Sequence, residues 1–313
     1  MHIPVLLKET VAALDPQPGC VYIDGTLGQA GHASAVMRLA GPTGRLLGID
    51  RDGEALVRAG NNLKRDGIPG THTLVHGAHG DIGRLAEENG FGSVDAILLD
   101  LGVSSDQLDT PERGFSFRCD GPLDMRMRND AGETAADLVA RLSVDEMTRL
   151  FRELGDEKRA GAIARAIDRE RRKEPFTRTL QLVDCVARAV GTAHTKGRNP
   201  ATRVFQALRM AVNDEVGDLR RALEAGIRLL KPGGRMAILT FESITDRIVK
   251  QTFRDHCGRD VSLQQGGSEW HGLLPRTELV LRKAVEGQPE ELEVNPRARS
   301  AKLRAVRRIS EDV

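Results

Sequence analysis

Residues 21–32 constrain the fold more than any other stretch. Val21-Tyr22-Ile23-Asp24 reads as a short buried strand, and it stops at Gly25-Thr26-Leu27-Gly28-Gln29-Ala30-Gly31-His32, glycine-spaced backbone that opens a helix. Glycine lets the main chain approach a ligand closely, and the unpaired N–H groups at a helix start favour electronegative ligand atoms. Gly25, Gly28 and Gly31 are spaced G-x-x-G-x-x-G, not the G-x-G-x-x-G of dinucleotide folds, so pyrophosphate binding is the weaker reading. A plain strand-to-helix turn would use Gly25 and Gly28 in the same way.

Two further apolar runs end in acids, Arg45-Leu46-Leu47-Gly48-Ile49-Asp50 and Val94-Asp95-Ala96-Ile97-Leu98-Leu99-Asp100. Asp50 falls where nucleotide-binding α/β folds place a carboxylate to accept both ribose hydroxyls. Ligands in open parallel sheets bind outside the carboxyl ends of the strands, so three such ends converging on one rim suit an adenosyl ligand. Taken singly, Asp50 and Asp100 also read as helix caps or solvated strand ends, and His32 as either a ligand contact or a local hydrogen bond.

The rest of the chain follows an interrupted pattern. Strand-like and helical stretches alternate to about residue 103, with a helix over 52–64 and a strand at Thr71-His72-Thr73-Leu74-Val75-His76. The strand signal then stops, and 134–190 reads as helices with apolar residues at helical spacing, such as Ile163, Ala166 and Ile167. It resumes after Asn213-Asp214-Glu215, where a helix running to Leu230 ends at Lys231-Pro232-Gly233-Gly234 and leads into a buried strand at 235–241. Residues 277–283 alternate at period two, as a late antiparallel strand would. The domain reading is 1–105 and 213–290 for a doubly wound α/β sheet, 106–212 for an inserted helical domain that recognises substrate, and 291–313 for a basic C-terminal tail. An insert leaving the sheet after Asp100 would overhang the cofactor site. Phe115 and Phe117 in its irregular first segment are candidates to stack on a base, or else anchor the loop in the core. Asp124 and Arg126 are candidates to orient a base or phosphate.

Composition narrows the function class. No apolar stretch approaches the roughly 20 residues that span a bilayer, and no signal-peptide core is present, so a cytoplasmic protein is expected. Cys20, Cys119, Cys185 and Cys257 form no C-x-x-C pair, which argues against structural zinc and a disulfide framework. Aromatic residues are only 3% of the chain, too few for an extended base-stacking platform, which leaves a single-base pocket. The net charge of +1 conceals Arg297, Arg299, Lys302, Arg304, Arg307 and Arg308 with no acid among them, a pattern suited to phosphate contact or to a solvated terminus.

Tyr22-Ile23-Asp24-Gly25-Thr26, Leu98-Leu99-Asp100-Leu101-Gly102-Val103-Ser104-Ser105, Arg113-Gly114-Phe115-Ser116-Phe117, Asp120-Gly121-Pro122-Leu123-Asp124-Met125-Arg126-Met127 and Asn295-Pro296-Arg297-Ala298-Arg299-Ser300 together resemble one family, the bacterial small-subunit rRNA (cytosine-N4)-methyltransferases, also called MraW. The likeness runs nearly end to end. It implies a Rossmann-like S-adenosylmethionine-dependent methyltransferase sheet with an inserted helical domain, and N4-methylation of a decoding-centre cytidine of 16S rRNA in the small ribosomal subunit. It further implies that Ala30, Gly31 and His32 line the methionine and sulfonium end; Asp24, Gly25 and Gly28 of the strand end and its glycine-spaced turn are further candidates to bind the cofactor. By the same likeness Asp50 holds the ribose, Asp100 and Gln107 contact the cofactor, and His79 packs beside the adenine. Ala30 stands where the family usually has glycine, His79 where it usually has an aromatic, and Glu242 where it usually has histidine.

Methyl transfer to an exocyclic amine needs no metal, and Asp100 is the candidate to accept an amine N–H or to anchor the cofactor. Two other classes share parts of the pattern: a ribosome-assembly or RNA-binding factor of the same fold with altered or lost turnover, and a nicotinamide-dependent oxidoreductase. Homodimers are the commonest soluble oligomers, and the sequence leaves the oligomeric state open.

Overall fold

The computed structural model describes residues 4–128, 131–191, 199–262 and 268–309. The chain divides into two compact units, Met1–Gly102 with Gly217–Val313, and Val103–Val216. Its first part runs α1 (Leu7–Leu14), β1 (Val21–Asp24), α2 (Gly31–Ala40), β2 (Arg45–Asp50), α3 (Gly53–Arg65), β3 (Thr71–His76), α4 (Ile82–Glu88) and β4 (Val94–Asp100). Six helices follow: α5 (Ser105–Asp109), α6 (Ala135–Arg141), α7 (Val144–Gly155), α8 (Ala160–Arg171), α9 (Thr179–Val190) and α10 (Ala201–Val212). The last part is α11 (Glu215–Leu229), β5 (Leu230–Thr240), α12 (Ser243–Cys257), β6 (Arg259–Ser262), β7 (Ser268–His271), β8 (Thr277–Leu279), β9 (Val285–Glu286), α13 (Pro289–Val294) and β10 (Lys302–Arg308).

In the first unit the strands lie in the order β3-β2-β1-β4-β5-β10-β8, with β9 also on β10. β1 to β5 are parallel, while β10 runs antiparallel to β5 and β8. Because β1, β2 and β4 are covered on both faces, they read in sequence as apolar runs, unlike the edge strand β3. Tyr22, Leu46 and Leu98 pack on one face with Ala33, Val36 and Met37 of α2 and Leu63 of α3. Ile23, Leu47 and Leu99 pack on the other with Leu85 of α4, Leu223 of α11 and Phe253 of α12. Strand order reverses between β1 and β4, which opens a crevice at their carboxyl ends.

Two expectations are corrected here. The segment 291–313 is not a tail: α13 and a 3-10 turn at Pro296–Ser300 lead into β10, an inner strand of the sheet, and residues 310–313 lie outside the described residues. Its cations work within the fold. Arg304 Nε and Nη2 donate to Asp246 at 2.6 and 3.1 Å, Arg307 Nε to Glu278 at 2.6 Å, and Arg308 Nη1 to the Leu230 carbonyl at 2.8 Å. Leu303, Ala305 and Val306 between them are buried, and that alternation is the strand signal the charges obscure. The strand expected at 277–283 stops at Leu279, while β5 starts early at Leu230 and crosses a register shift before Arg235 pairs with Ala96.

The second unit has its own core. Phe151 of α7, Ile163 and Ile167 of α8, Leu182 and Val186 of α9, and Leu208 of α10 meet Leu123 and Met125 of the preceding loop. Thr134 and Ser143 each close a capping box, which fixes the starts of α6 and α7. Phe115 is buried in this core, and Phe117 packs edge-on against Phe205 with ring centroids 4.8 Å apart. Both rings therefore pack within the second unit and anchor the loop, the alternative the sequence offered to base stacking.

Candidate cofactor and active site

The parallel register builds the rim. Asp24 aligns with Gly48 on β2 and Leu98 on β4, so Asp50 and Asp100 each stand two residues, about 7 Å, further along on either side. All three acids share the sheet face that α2 covers. The loop after β1 fills the recess between them, with Gly25 N–H donating to the Leu98 carbonyl and Leu27 N–H to that of Ile49. A Cβ on Gly25 would come within 2.4 Å of Leu99 Cδ2, which is why this position admits no side chain. Gly28 has φ +53, a Cβ there would be in ordinary contact with the Thr26 carbonyl oxygen at 3.9 Å, and its N–H donates to Asp50 Oδ2 at 2.8 Å.

Asp50 also accepts the Asp52 N–H at 2.9 Å through Oδ1. Burial raises its affinity for a proton, while those two backbone bonds pull the other way. Each oxygen keeps a lone pair for a further donor. Ala30 caps α2 in the left-handed region at φ 64, a conformation that suits glycine. Gly31 is pinned by Pro4, whose Cγ would lie 2.5 Å from an added Cβ. Ala30 itself offers no side-chain cap to α2.

His79 opens the 3-10 turn His79–Asp81 after β3, and its Cβ would be 3.5 Å from a Cβ on Gly25. Burial, together with the Arg51 and Arg221 guanidinium groups, holds it down at about 3, so the ring is neutral. Its Nε2 is buried without a hydrogen-bond partner among the described residues. Arg51 and Arg221 are themselves bound to Asp218 of α11, against which Gly80 packs too closely to admit a Cβ.

Asp100 is anchored through its backbone, its N–H donating to Thr26 Oγ1 at 2.6 Å. Burial pushes its carboxyl up to about 7. His32 Nδ1 lies 3.8 Å from Asp100 Oδ2. Glu242 starts α12 next to Phe241, whose ring lies 3.4 Å from a Cβ built on Gly102.

The first unit thus brings Asp24, Gly25, Gly28, Ala30, Gly31, His32, Asp50, His79 and Asp100 to one sheet edge. Gln107 belongs to the second unit, where its Oε1 accepts the Ser104 N–H at 3.0 Å at the start of α5. Asp124 and Arg126 also lie there and satisfy each other, with Arg126 Nε and Nη2 donating to the carboxylate at 2.9 and 2.8 Å. Arg297 and Arg299 are exposed on the turn before β10. Sequence reasoning missed Val5, Tyr22, Thr26, Arg51 and Asp218. A signal existed for one of them: Tyr22 is the chain's only tyrosine, and a phenol inside an apolar strand needs a buried partner.

The family model described as the MraW methylase family matches residues 1–309. The chain belongs to the MraW methylase family. A protein of Syntrophotalea carbinolica named ribosomal RNA small subunit methyltransferase H is 48% identical over 309 residues, which cover 98% of each chain. One of the same name from Trichlorobacter lovleyi is 44% identical over 309 residues, again 98% of each. S-adenosylmethionine is the cofactor of this MraW methylase, and the nicotinamide alternative falls away. The residues present fit the adenosyl group: a carboxylate with spare acceptor capacity at Asp50, an orphaned buried imidazole nitrogen at His79, and a glycine in the left-handed region at Gly28. Among the described residues no helix is long and apolar enough to cross a membrane, and no group of His, Cys, Asp or Glu is disposed to hold a metal ion.

Proposed function

We propose that this MraW methylase transfers a methyl group to the exocyclic N4 of a decoding-centre cytidine of 16S rRNA within the small ribosomal subunit. The relatives' names support ribosomal RNA of the small subunit as the substrate class. The observation that carries the chemistry is Asp100, a carboxylate of raised proton affinity on the same rim and sheet face as the cofactor residues.

S-adenosylmethionine supplies an electrophilic methyl group on a sulfonium. Asp50 and His79 would hold its nucleoside, with Gly28, Ala30 and Gly31 passing beneath it. The cytosine amine is a weak nucleophile because its lone pair is delocalised into the ring, and an acceptor for its N–H favours the pyramidal nitrogen of the transition state. Asp100 is that acceptor. The nitrogen would shed one proton on methylation, and the Asp100 carboxylate, pushed up to about 7 by burial, is matched to take it. Arg297 and Arg299, exposed on the turn before β10, are the cations assigned to backbone phosphates in this reading.

The test is methyl transfer from labelled S-adenosylmethionine to small subunits lacking the modification, followed by nucleoside mass spectrometry. Label on N4 of cytidine is expected, and Asp100→Asn is expected to lower kcat by roughly 100-fold or more. Cofactor binding with no label on cytidine would refute the proposed acceptor.

A further inference from the structure

Asp24 differs from the other two acids of the rim. It is 2% exposed, its Oδ1 accepts the Thr26 N–H at 3.1 Å, and its Oδ2 accepts the Tyr22 hydroxyl at 3.0 Å. Asp100 stands beside it on β4, and His32 reaches in from α2. His32 Nε2 lies 3.0 Å from the Val5 carbonyl. A carbonyl oxygen only accepts, so Nε2 carries the hydrogen and the neutral ring turns its Nδ1 lone pair toward Asp100. Among the described residues neither carboxylate has a lysine or arginine partner. The three side chains are thus built to hold a proton that no neighbouring cation displaces.

The surrounding groups leave that proton to them. Cys20 just before β1 and Tyr22 on it are neutral, the Cys20 thiol pushed up to about 12 and the Tyr22 phenol well above its usual value, both chiefly by burial. On β2, Asp50 is engaged by Gly28 and Asp52, and on α13 Glu291 accepts the Leu6 N–H at 2.7 Å. Burial raises Asp24 to about 6 and Asp100 to about 7, and it lowers His32.

We propose that Asp24, Asp100 and His32 form a proton-linked counter-charge that separates the sulfonium of the methyl donor from the thioether of the spent product. The donor enters with loss of a proton from this group, and the product leaves with a proton restored. The inference rests on reading this rim as the cofactor site. Donor and product share the adenosyl and amino-acid parts, so a pocket that recognises those parts binds both. They differ by one methyl group and one positive charge. A cation beside a buried carboxylate favours its ionised form, and by linkage a cation that expels a proton binds more tightly as pH rises. The neutral thioether has no such effect. Asp24 is then a specificity-determining residue, and the Tyr22 and Thr26 hydrogen bonds keep its ionised form within reach despite burial.

Titration calorimetry on the full-length protein tests this directly. S-adenosylmethionine and S-adenosylhomocysteine are each titrated in phosphate and in Tris between pH 6 and 8.5, and the buffer difference counts protons. Near pH 6.5 the donor should release about 0.5–1 proton and the product close to none, with donor affinity alone weakening by up to about tenfold per pH unit toward acid. Asp24→Asn, which keeps the shape, should lower the donor's proton count and leave the product's unchanged. Tyr22→Phe, which deletes one hydrogen bond to the carboxylate, should move the donor midpoint to higher pH with binding retained. Equal proton counts and parallel pH profiles for the two ligands would overturn the proposal while leaving the cofactor site intact. Failure of both ligands to bind would bring down the cofactor reading and this inference with it.

Discussion

Ala30 shows how much one backbone angle decides. A residue with a Cβ in the left-handed region costs roughly 1–2 kcal/mol, and this one is also fully buried at the head of α2. Ala30→Gly should therefore leave stability within about 1 kcal/mol, the relieved strain offsetting the added entropy of the unfolded chain. Ala30→Val should cost about 2 kcal/mol or more, because a branched side chain is still less tolerant of that angle. Urea denaturation of the pair separates backbone strain from packing. Asp50 acts differently, through its two backbone donors and its spare lone pairs. Asp50→Ala should weaken S-adenosylmethionine binding by about tenfold or more in calorimetry, since it frees the Gly28 and Asp52 N–H groups as well as removing the ribose acceptor.

At the scale of elements, β10 is held by burial and by ion pairs, of which Arg304–Asp246 is less exposed than those of Lys302 and Arg307. Leu303 is fully buried, so Leu303→Ala should cost about 2–5 kcal/mol. Arg304→Met would leave Asp246 part-buried without its bidentate partner, at a cost of roughly 3 kcal/mol, and a further Asp246→Asn change should recover part of that. Burial works against ionised Asp246, yet the Arg304 and Lys302 cations win and hold it below its usual value. The pair's contribution is thus present above the unfolded carboxyl value and is lost as pH falls through the folded one. Denaturation midpoints of wild type and Arg304→Met measured from pH 6 to 3 should converge. Strands β1, β2 and β4 were legible in sequence because burial on both faces leaves an apolar run ending in a polar rim residue. β10 was not, because Arg304 and Arg307 are long cations whose partners, Asp246 and Glu278, come from distant segments. Nor was the anchoring role of Phe115 and Phe117, because an aromatic in a loop reads alike whether it meets a base or a core. The acids of the candidate site were visible as strand ends, whereas Asp218 and Val5 enter it only through tertiary packing.

For the molecule as a whole, the buried acids set an unusual pH response. Asp24 and Asp100 have folded values of about 6 and 7 against 3.8 in the unfolded chain. An acid whose value is raised by folding stabilises below the unfolded value, and that contribution fades as pH rises through the folded one. For Asp24 the full swing is on the order of 3 kcal/mol. His32, lowered by burial, acts in the opposite sense below 6.5. The cofactor-free protein should therefore lose stability from pH 6.5 to 8, and calorimetric scans across that window should show a falling Tm that Asp100→Asn flattens. The sheet order carries a further consequence, for biosynthesis. β5 pairs on one side with β4, which precedes it in the chain, and on the other with β10, the last strand in sequence order. At ordinary elongation rates several seconds pass between emergence of β5 and of β10, and throughout that interval the apolar run 236–239 of β5 offers a bare edge to any passing chain. A translating ribosome stalled anywhere between them would display an aggregation-prone half-sheet, so chaperone dependence should rise with slow codons placed in that interval.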